Sequence, residues 1–193
     1  MNLTDIHPLY AYNRWANLRM FSVLEKLNQE QFAASIQSSF PSIRESVFHI
    51  LAAEWIWLKR WTGASPVAIE PVKGASFETW KKLRAAGVPP PLQLSTVAEL
   101  RAFCDSLENE RQQFIAGLSE KELQAPVNYS DMSGKPFSMP LAELLQHVVN
   151  HGTYHRGQVT TLLRQAGAET IPLDMLYFFR EEREKNAGGK SAA

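Results

Sequence analysis

Histidine is the residue type with the clearest capacity for chemistry in this chain, and three of its five histidines fall in one segment. His147, His151 and His155 follow one another at intervals of four residues. Neighbours at this spacing on a helix face the same side, about 6 Å apart along the axis, so two of them can bind one metal ion. The outer two would lie about 12 Å apart, which is too far to share an ion.

The helix that must carry these residues favours His151 and His155 as the metal-binding pair. At about 100° per residue, its leucines and valines define one apolar face. His155 lies near the centre of that face, His151 toward its edge and His147 on the polar side. The pair also falls on a seam of core positions, where helical bundles build metal sites. That seam consists of Leu141, Leu144, Val148, His151, His155, Gln158 and Leu162.

A third ligand is expected from His49, midway along an apolar segment. The small side chains of Ser46, Ala52 and Ala53 beside it would leave room for an ion. Three neutral imidazoles with open positions suit Zn²⁺, Ni²⁺ or Fe²⁺ and do not choose sharply among them. A lone helical histidine is more often an ordinary core or surface residue. Two buried imidazoles, however, need hydrogen-bonding partners that leucine and valine do not offer.

Two known metal motifs fit this chain poorly. The segment from His151 to His155 resembles the zinc-protease motif H-E-x-x-H, but Gly152 stands where the catalytic glutamate would be. Di-iron bundles need Glu-x-x-His on two helices. Here the nearest preceding glutamates are four positions before His49 and His147 rather than three. A protease and a di-iron centre are therefore both disfavoured.

Four long segments must position these histidines, and their apolar residues recur at helical spacing. The expected helices cover residues 5–27, 42–62, 96–116 and 140–165. Because no convincing sheet accompanies them, the sequence predicts an all-α fold and a four-helix bundle. Two of the linkers are long enough for crossover connections.

Local signals set the ends of these helices and predict some shorter elements. Capping-box patterns begin at Ser42 and at Thr96, and stop signals follow at Gly63, Gly117 and Gly167. Short extra helices are expected in the connections, at 77–86 before the prolines at 89–91, and near the C-terminus at 174–185. Alternating residues predict a loop or short hairpin over 126–139. Residues 186–193 are small and polar, and we expect a flexible tail there.

Composition excludes several classes of protein. The 193 residues include 20 Lys and Arg against 20 Asp and Glu, and this balance argues against a nucleic-acid-binding surface. No apolar stretch approaches the roughly 20 residues of a membrane span, and no membrane association is expected. The N-terminus lacks the pattern of a secretory signal, and the single cysteine excludes an internal disulfide, so we expect a cytoplasmic protein. Cys104 itself lies in an apolar stripe and is expected to be buried and inert.

Several stretches of the chain resemble the DinB family of bacterial helical proteins. The most specific is the fourth-helix run from His147 to Gln158. Weaker likenesses are Tyr-Asn-Arg-Trp-Ala-Asn at 12–17, the second-helix stretch from Ser42 through His49 to Trp55, and Pro-Leu-Asp at 172–174 followed by Tyr177. The likeness covers nearly the whole chain.

The resemblance implies a fold, a ligand set and an activity. It implies one domain over residues 1–185, a four-helix bundle with an up-down-down-up path, and a homodimer. The usual metal triad of the family maps onto His49, His151 and His155. Similar proteins of the wider superfamily include S-transferases and isomerases that use low-molecular-weight thiols.

Three hypotheses of function follow. The first is a metal-dependent enzyme that transfers a small thiol to an electrophilic small-molecule substrate, with the metal stabilising the thiolate. The second is hydrolysis by a metal-bound hydroxide, which the lack of an obvious general base disfavours. The third is a non-catalytic, metal-stabilised dimer or binding module in a stress response.

Other residues are weaker candidates for the site. Arg156 adjoins the histidine pair and could bind an anionic substrate, although a solvated surface arginine is the competing interpretation. Tyr12 and Asn13 on the first helix, and Asp174 near the C-terminus, are further candidates for substrate binding. His147 is expected to be a reserve ligand or a group that supports a ligand.

Overall fold

The computed structural model describes residues 1–63, 94–130 and 135–188. Within these ranges the chain forms mainly helices, together with one small sheet of two strands. The short helix expected at 77–86 and the prolines at 89–91 lie outside the described residues. The elements, in chain order, are α1 (Leu3–Leu24), α2 (Gln29–Ala33), α3 (Ile43–Trp61), α4 (Val97–Ala116), α5 (Glu120–Gln124), β1 (Pro126–Ser130), β2 (Pro136–Pro140), α6 (Leu141–Gln165) and α7 (Met175–Gly188).

The three helices α3, α4 and α6 begin and end close to the expected positions. Ser42 accepts a hydrogen bond from the Glu45 backbone N–H (3.2 Å), which caps α3, but the predicted return bond to the Ser42 backbone does not form. Thr96 and Glu99 form the complete capping box at the start of α4. Backbone φ is 69° at both Gly63 and Gly167, the left-handed conformation that favours glycine after a helix.

The first helix starts and ends earlier than predicted. Asn2 accepts a hydrogen bond from the Asp5 backbone N–H, and the Asp5 carboxylate accepts one from the Asn2 backbone. This reciprocal cap starts α1 at Leu3, so Pro8 lies inside the helix rather than at its beginning. The last helix extends to Gly188, three residues into the segment expected to be a flexible tail.

Two buried apolar clusters run along the helices. One joins the C-terminal part of α1, α2, the first half of α3, the start of α4 and the end of α6. The other joins the N-terminal part of α1, the end of α4, α5, the first half of α6 and Phe178 of α7. Cys104 belongs to the first cluster, so the prediction of a buried cysteine is confirmed, and burial raises the pKa of its thiol to about 12.

Each of the four long helices packs against two of the others. The contacting pairs are α3 with α6, α1 with α6, α3 with α4 and α1 with α4. Paired residues fix the relative placement of the helices. Examples are Tyr10 with Leu145, Asn17 with Arg156, Arg111 with Tyr10, Arg101 with Glu25, Lys59 with Glu110 and Arg111 with Glu54.

The strands β1 and β2 form an antiparallel hairpin within the predicted 126–139 segment. Val127 pairs with Met139 and Tyr129 pairs with Phe137 in its register. The Tyr129 ring also contacts the Trp57 ring of α3, with centroids 4.9 Å apart. The hairpin therefore lies beside the C-terminal half of α3. In the part of the chain that the structure describes, no helix is long and apolar enough to cross a membrane.

A buried polar network connects the four long helices. Glu54 of α3 is 1% exposed and pairs with Arg111 of α4 (2.5 Å), which also pairs with Glu108. The Glu54 carboxylate also accepts a hydrogen bond from the Asn13 amide (2.8 Å). Burial alone would raise the pKa of Glu54, but Arg111 and this hydrogen bond hold it below its usual value. The carboxylate therefore stays charged inside the fold.

Two asparagines extend this network to α6. The Arg156 guanidinium donates through Nη1 to the side-chain oxygens of Asn13 (2.8 Å) and Asn17 (2.9 Å). Both asparagine amides donate in turn to Glu54. The carboxylate and the guanidinium are thus joined through two neutral amides, and Arg156 is 1% exposed. The interpretation of Arg156 as a solvated surface residue is wrong.

Candidate metal centre

The structure brings His49, His151 and His155 together at one point between α3 and α6. The Nε2 atom of His49 lies 3.2 Å from Nε2 of His151 and 3.2 Å from Nε2 of His155. One ligand nitrogen from each ring lies within 4.8 Å of the other two. The convergence follows from the packing of α3 on α6, which sets one histidine opposite two that are one turn apart.

The spacing of these nitrogens fits a bound divalent ion. Two nitrogens bound to a tetrahedral ion at 2.0–2.1 Å are about 3.3 Å apart. The two distances from His49 match that separation closely. If all three nitrogens carry lone pairs, these repel one another unless a cation lies between them. If Nε2 of His49 carries a proton instead, that single proton cannot serve both neighbouring nitrogens well. The donor set therefore fits a metal such as Zn²⁺, Ni²⁺ or Fe²⁺.

Gln158 determines the tautomer of His155. The Nδ1 atom of His155 lies 2.8 Å from Oε1 of Gln158. Because a carbonyl oxygen only accepts hydrogen bonds, Nδ1 carries the proton and Nε2 keeps its lone pair facing the other two histidines. Gln158 was expected on the seam, but its role as the partner of His155 was not.

Burial keeps the histidine cluster neutral. Desolvation, followed by the neighbouring His155 and His151, lowers the pKa of His49 to about 3. Desolvation and the two neighbouring histidines of α6 likewise lower the pKa of His151 to about 4. Desolvation also lowers the pKa of His155, although its hydrogen bond with Gln158 opposes the shift. The rings are thus uncharged at neutral pH, the state that a metal ligand requires.

Two aromatic rings border the cluster. The Phe40 ring packs at a tilt of 31° against His49 with centroids 4.4 Å apart and meets His155 edge-on at 5.7 Å. Tyr154 packs edge-on against His155 at 5.0 Å, yet it is 65% exposed. Phe40 lies in the irregular segment before α3, where no periodic pattern marked it as a neighbour of the site.

His147 lies beside the cluster but outside the converging set. Its ring centroid is 6.0 Å from that of His151 and 5.5 Å from that of Trp57. The residue is exposed, as the position on the polar side of α6 predicted. Desolvation by the nearby rings lowers its pKa. His147 is therefore a neighbour of the candidate centre, and its role as a reserve metal ligand stays a prediction.

The expected substrate-binding residues do not converge on the histidines. Tyr12, Arg156 and Asp174 line a groove of about 790 Å³ between α1, the outer face of α6 and the segment before α7. None of the three clustered histidines lines this groove. Asn13 lies in the buried network instead, at 0% exposure. Substrate binding by these four residues stays a prediction, but they do not border the candidate metal centre.

Sequence reasoning missed the buried charges near the site. Arg156 lies seven residues from both Val149 and Leu163, which are buried, and that spacing could have shown that it faces inward. Glu54 is the one carboxylate in the middle of an apolar helix, which also could have marked it as buried and paired. Neither signal identifies the partner, because that residue lies on another helix.

The mostly helical fold and the three converging histidines define a class: a helical protein with a candidate metal centre between two helices. Residues 1–186 match the sequence profile of the DinB family. The chain is 35% identical over 181 residues to "Protein DinB" of Bacillus subtilis (strain 168), which covers 92% of this chain and 95% of that protein. The chain belongs to the DinB family.

A solved structure has a similar fold. It is the crystal structure of a DinB-like protein from Bacillus cereus ATCC 10987, with a TM-score of 0.54. The comparison covers 89% of this chain and 96% of that one, at 20% sequence identity. At this identity the likeness concerns the fold alone.

Proposed function

We propose that α1, α3, α4 and α6 form a four-helix bundle with an up-down-down-up path. Residue numbers rise together along the contacts of α1 with α6, which is typical of a parallel pair. They also rise together between α3 and α4, where Glu54 pairs with Arg111 and the Trp61 ring stacks on that of Phe114. They run in opposite order between α3 and α6 and between α1 and α4. An experimental structure with α1 antiparallel to α6 would contradict this path.

We propose further that the protein is a metal-dependent enzyme that transfers a low-molecular-weight thiol to an electrophile. The observation that carries the proposal is the set of three neutral imidazole nitrogens at ligand spacing. A divalent ion bound there would supply a Lewis acid that stabilises a thiolate at neutral pH. No nucleophile from the protein is needed.

The chain's own residues bind and orient in this proposal. His49, His151 and His155 hold the ion as neutral ligands, and Gln158 keeps the His155 proton on Nδ1. Phe40 covers two of the rings and limits the access of water from its side.

Hydrolysis is the weaker alternative, because it calls for a group that accepts a proton from water. Glu54, the buried carboxylate on the same helix as His49, is already paired with Arg111 and is therefore not free to accept that proton. Among the residues that the structure describes, no carboxylate belongs to the converging group of ligands. The geometry therefore favours a nucleophile that is already a good acid, such as a thiol.

Metal analysis tests the centre itself. Protein purified without a histidine tag is expected to hold about one divalent ion per chain, measured by elemental analysis after dialysis. His49→Ala and His155→Ala should lose the ion, whereas His7→Ala, on the exposed part of α1, should retain it. Equal metal content in all three variants would overturn the proposal.

Thiol consumption tests the reaction. With a reporter electrophile, the metal-loaded protein is expected to accelerate the loss of free thiol, and His49→Ala should abolish the acceleration. Hydrolysis of ester or amide reporters without thiol would instead favour the hydrolase. A protein that binds metal and accelerates neither reaction would support a non-catalytic binding module.

We also propose that the protein forms a homodimer. Leu176, Tyr177 and Phe179 of α7 are 56%, 41% and 41% exposed. Large apolar side chains exposed close together on one helix are typical of an interface between subunits.

A further inference from the structure

A row of rings leads away from the histidine cluster, beginning at His147. His147 lies next to His151, at 6.0 Å between ring centroids, and Trp57 lies next to His147, at 5.5 Å. Tyr129 of the hairpin continues the row, 4.9 Å from Trp57. His147 is exposed, and Trp57 and Tyr129 are half-buried, so the row is accessible from solvent. The solvent-accessible parts of these rings form an aromatic surface that begins beside the candidate metal centre.

The row ends at a cation. The Arg60 guanidinium lies over the Trp57 ring at 4.6 Å and over the Tyr129 ring at 5.2 Å. Its Nη2 atom donates to the Ser130 carbonyl oxygen (2.9 Å). Arginine keeps its charge at all physiological pH values, so the far end of the row is positive.

Arg60 differs in this respect from the cations around it. Lys59, the preceding residue, pairs with Glu110, and Arg111 pairs with Glu54 and Glu108. Among residues 1–63, 94–130 and 135–188, no carboxylate lies within ion-pair distance of Arg60. A half-buried guanidinium with neutral partners retains donors and an uncompensated charge for an anion from outside.

The helix sets the distance between the two ends. His49 and Arg60 both lie on α3, eleven residues apart in the sequence, which corresponds to about 16 Å along the axis. Trp57 lies one turn closer to the centre, at about 12 Å. A molecule bound at the metal and reaching Arg60 must therefore be extended and must lie along the rings.

We propose that the thiol bound by this centre carries a carboxylate at the far end of an extended apolar body, and that Arg60 binds that carboxylate. The inference rests on the proposed thiol chemistry of the three histidines. Arg60 is thus a specificity-determining residue, distant from the reacting sulfur. The sulfur end lies at the histidines, the apolar body on His147, Trp57 and Tyr129, and the anion at the guanidinium.

A series of thiols of increasing length tests the distance between the metal centre and Arg60. The probes are 3-mercaptopropionate, 8-mercaptooctanoate and 11-mercaptoundecanoate, each compared with the mercaptoalcohol of equal chain length. Binding to Co²⁺-loaded protein is followed by the thiolate-to-cobalt charge-transfer absorption, which reports sulfur at the metal and needs no turnover. The alcohols remove the contribution of chain length, because they share the apolar body and lack only the charge.

The carboxylate should strengthen binding only in thiols that are long enough for it to reach Arg60. The two longer acids are expected to bind at least about tenfold more tightly than their alcohols, the size of one charge-assisted hydrogen bond. The shortest acid should show no such preference. Arg60→Gln should abolish the preference, and Arg60→Lys should restore part of it. Arg180→Gln is the matched control, because Arg180 also lies over a ring, that of Tyr177 at 6.0 Å, but on α7.

The outcomes separate the two proposals. No charge-transfer band with any thiol would overturn the proposed function and the inference together. Bands of equal strength for acids and alcohols of each length would overturn the inference alone, and so would a preference that survives Arg60→Gln. If Arg60 only fastens the hairpin to α3, the substitution would lower stability and weaken acids and alcohols alike.

Discussion

Gln158 decides which nitrogen of His155 is available to a metal. Its Oε1 atom accepts from Nδ1 at 2.8 Å, so Nε2 faces His49 and His151 with a lone pair. Partners of this kind orient a ligand ring and raise its basicity. The position explains why a glutamine occupies the seam of α6, where the pattern alone predicts an apolar residue.

We predict that Gln158→Ala lowers metal affinity by about 10–100-fold. The Nδ1 proton of His155 loses its acceptor, and the ring becomes free to turn or to change tautomer. Gln158→Glu keeps an acceptor and should retain most of the affinity. Competition with a chromophoric chelator measures the effect, and Gln165→Ala at the exposed end of α6 is the control. An unchanged affinity in Gln158→Ala would contradict the assigned role.

We predict that the metal-free protein loses stability as the pH falls below about 6.5. The pKa of His49 is lowered to about 3 and that of His151 to about 4, both mainly by desolvation. Between these values and 6.5 the unfolded chain binds protons that the folded chain does not. The free energy of unfolding therefore decreases with decreasing pH in this window.

Urea unfolding at a series of pH values from neutral to about 5 measures this loss. The doubly substituted protein with His49→Gln and His151→Gln should show a flatter dependence, whereas His7→Gln should behave like the parent. Glu54 adds to the pH dependence of stability only below this range. Its ordinary pKa is 4.5, and its pKa in the folded protein lies lower still. A stability that does not change down to pH 5 would refute the prediction.

At the scale of elements, Gly152 shows why α6 approaches α1 so closely, and Gly157 provides the contrast. A Cβ at Gly152 would lie 2.9 Å from Nη1 of Arg156 and 3.3 Å from Oδ1 of Asn13. Those atoms are held in the buried network, so they have little freedom to move. A Cβ at Gly157 would meet nothing within 4 Å. The glycine that replaces the catalytic glutamate of H-E-x-x-H therefore has a packing reason.

We predict opposite effects for the two alanine substitutions. Gly152→Ala should destabilise the protein by about 1–3 kcal/mol, because overpacking displaces the Arg156 guanidinium. Gly157→Ala should stabilise it by about 0.5–1 kcal/mol, since alanine is the better helix former and the space is open. Urea unfolding of the metal-free proteins compares them directly. If Gly152→Ala proves as stable as Gly157→Ala, the Arg156 guanidinium can move aside at little cost, and the prediction is wrong.

At the scale of the whole molecule, the exposed apolar residues of α7 carry the proposal of a homodimer. We predict a dimer in sedimentation velocity at micromolar concentration. Leu176→Glu, at a residue that is 56% exposed, should shift the protein to monomers without loss of helical content. Glu143→Lys, an exposed position at the start of α6, is the charge-changing control. A monomeric parent protein would disprove the dimer.

Local sequence signals account for most of the helices. Apolar spacing and caps predicted α3, α4 and α6 nearly to the residue, because both act within one or two turns. The same signals were present where the prediction failed. Asn2 with Asp5, Asn28 with Gln31 and Ser119 with Glu122 all form capping boxes, which begin the early α1 and the short helices α2 and α5.

The identity of the clustered histidines was determined by the sequence itself, since residues four apart on a helix share a face and His49 lies on an apolar helix. Only the tertiary structure decided what surrounds them. It buried Arg156 against Asn13 and Asn17, and it placed Tyr12 and Asp174, two of the predicted substrate-binding residues, on a separate groove. It also placed Tyr129 of the hairpin against Trp57 and Arg60 of α3. These contacts join residues distant in the chain, and periodicity reports which face is apolar but never which partner covers it.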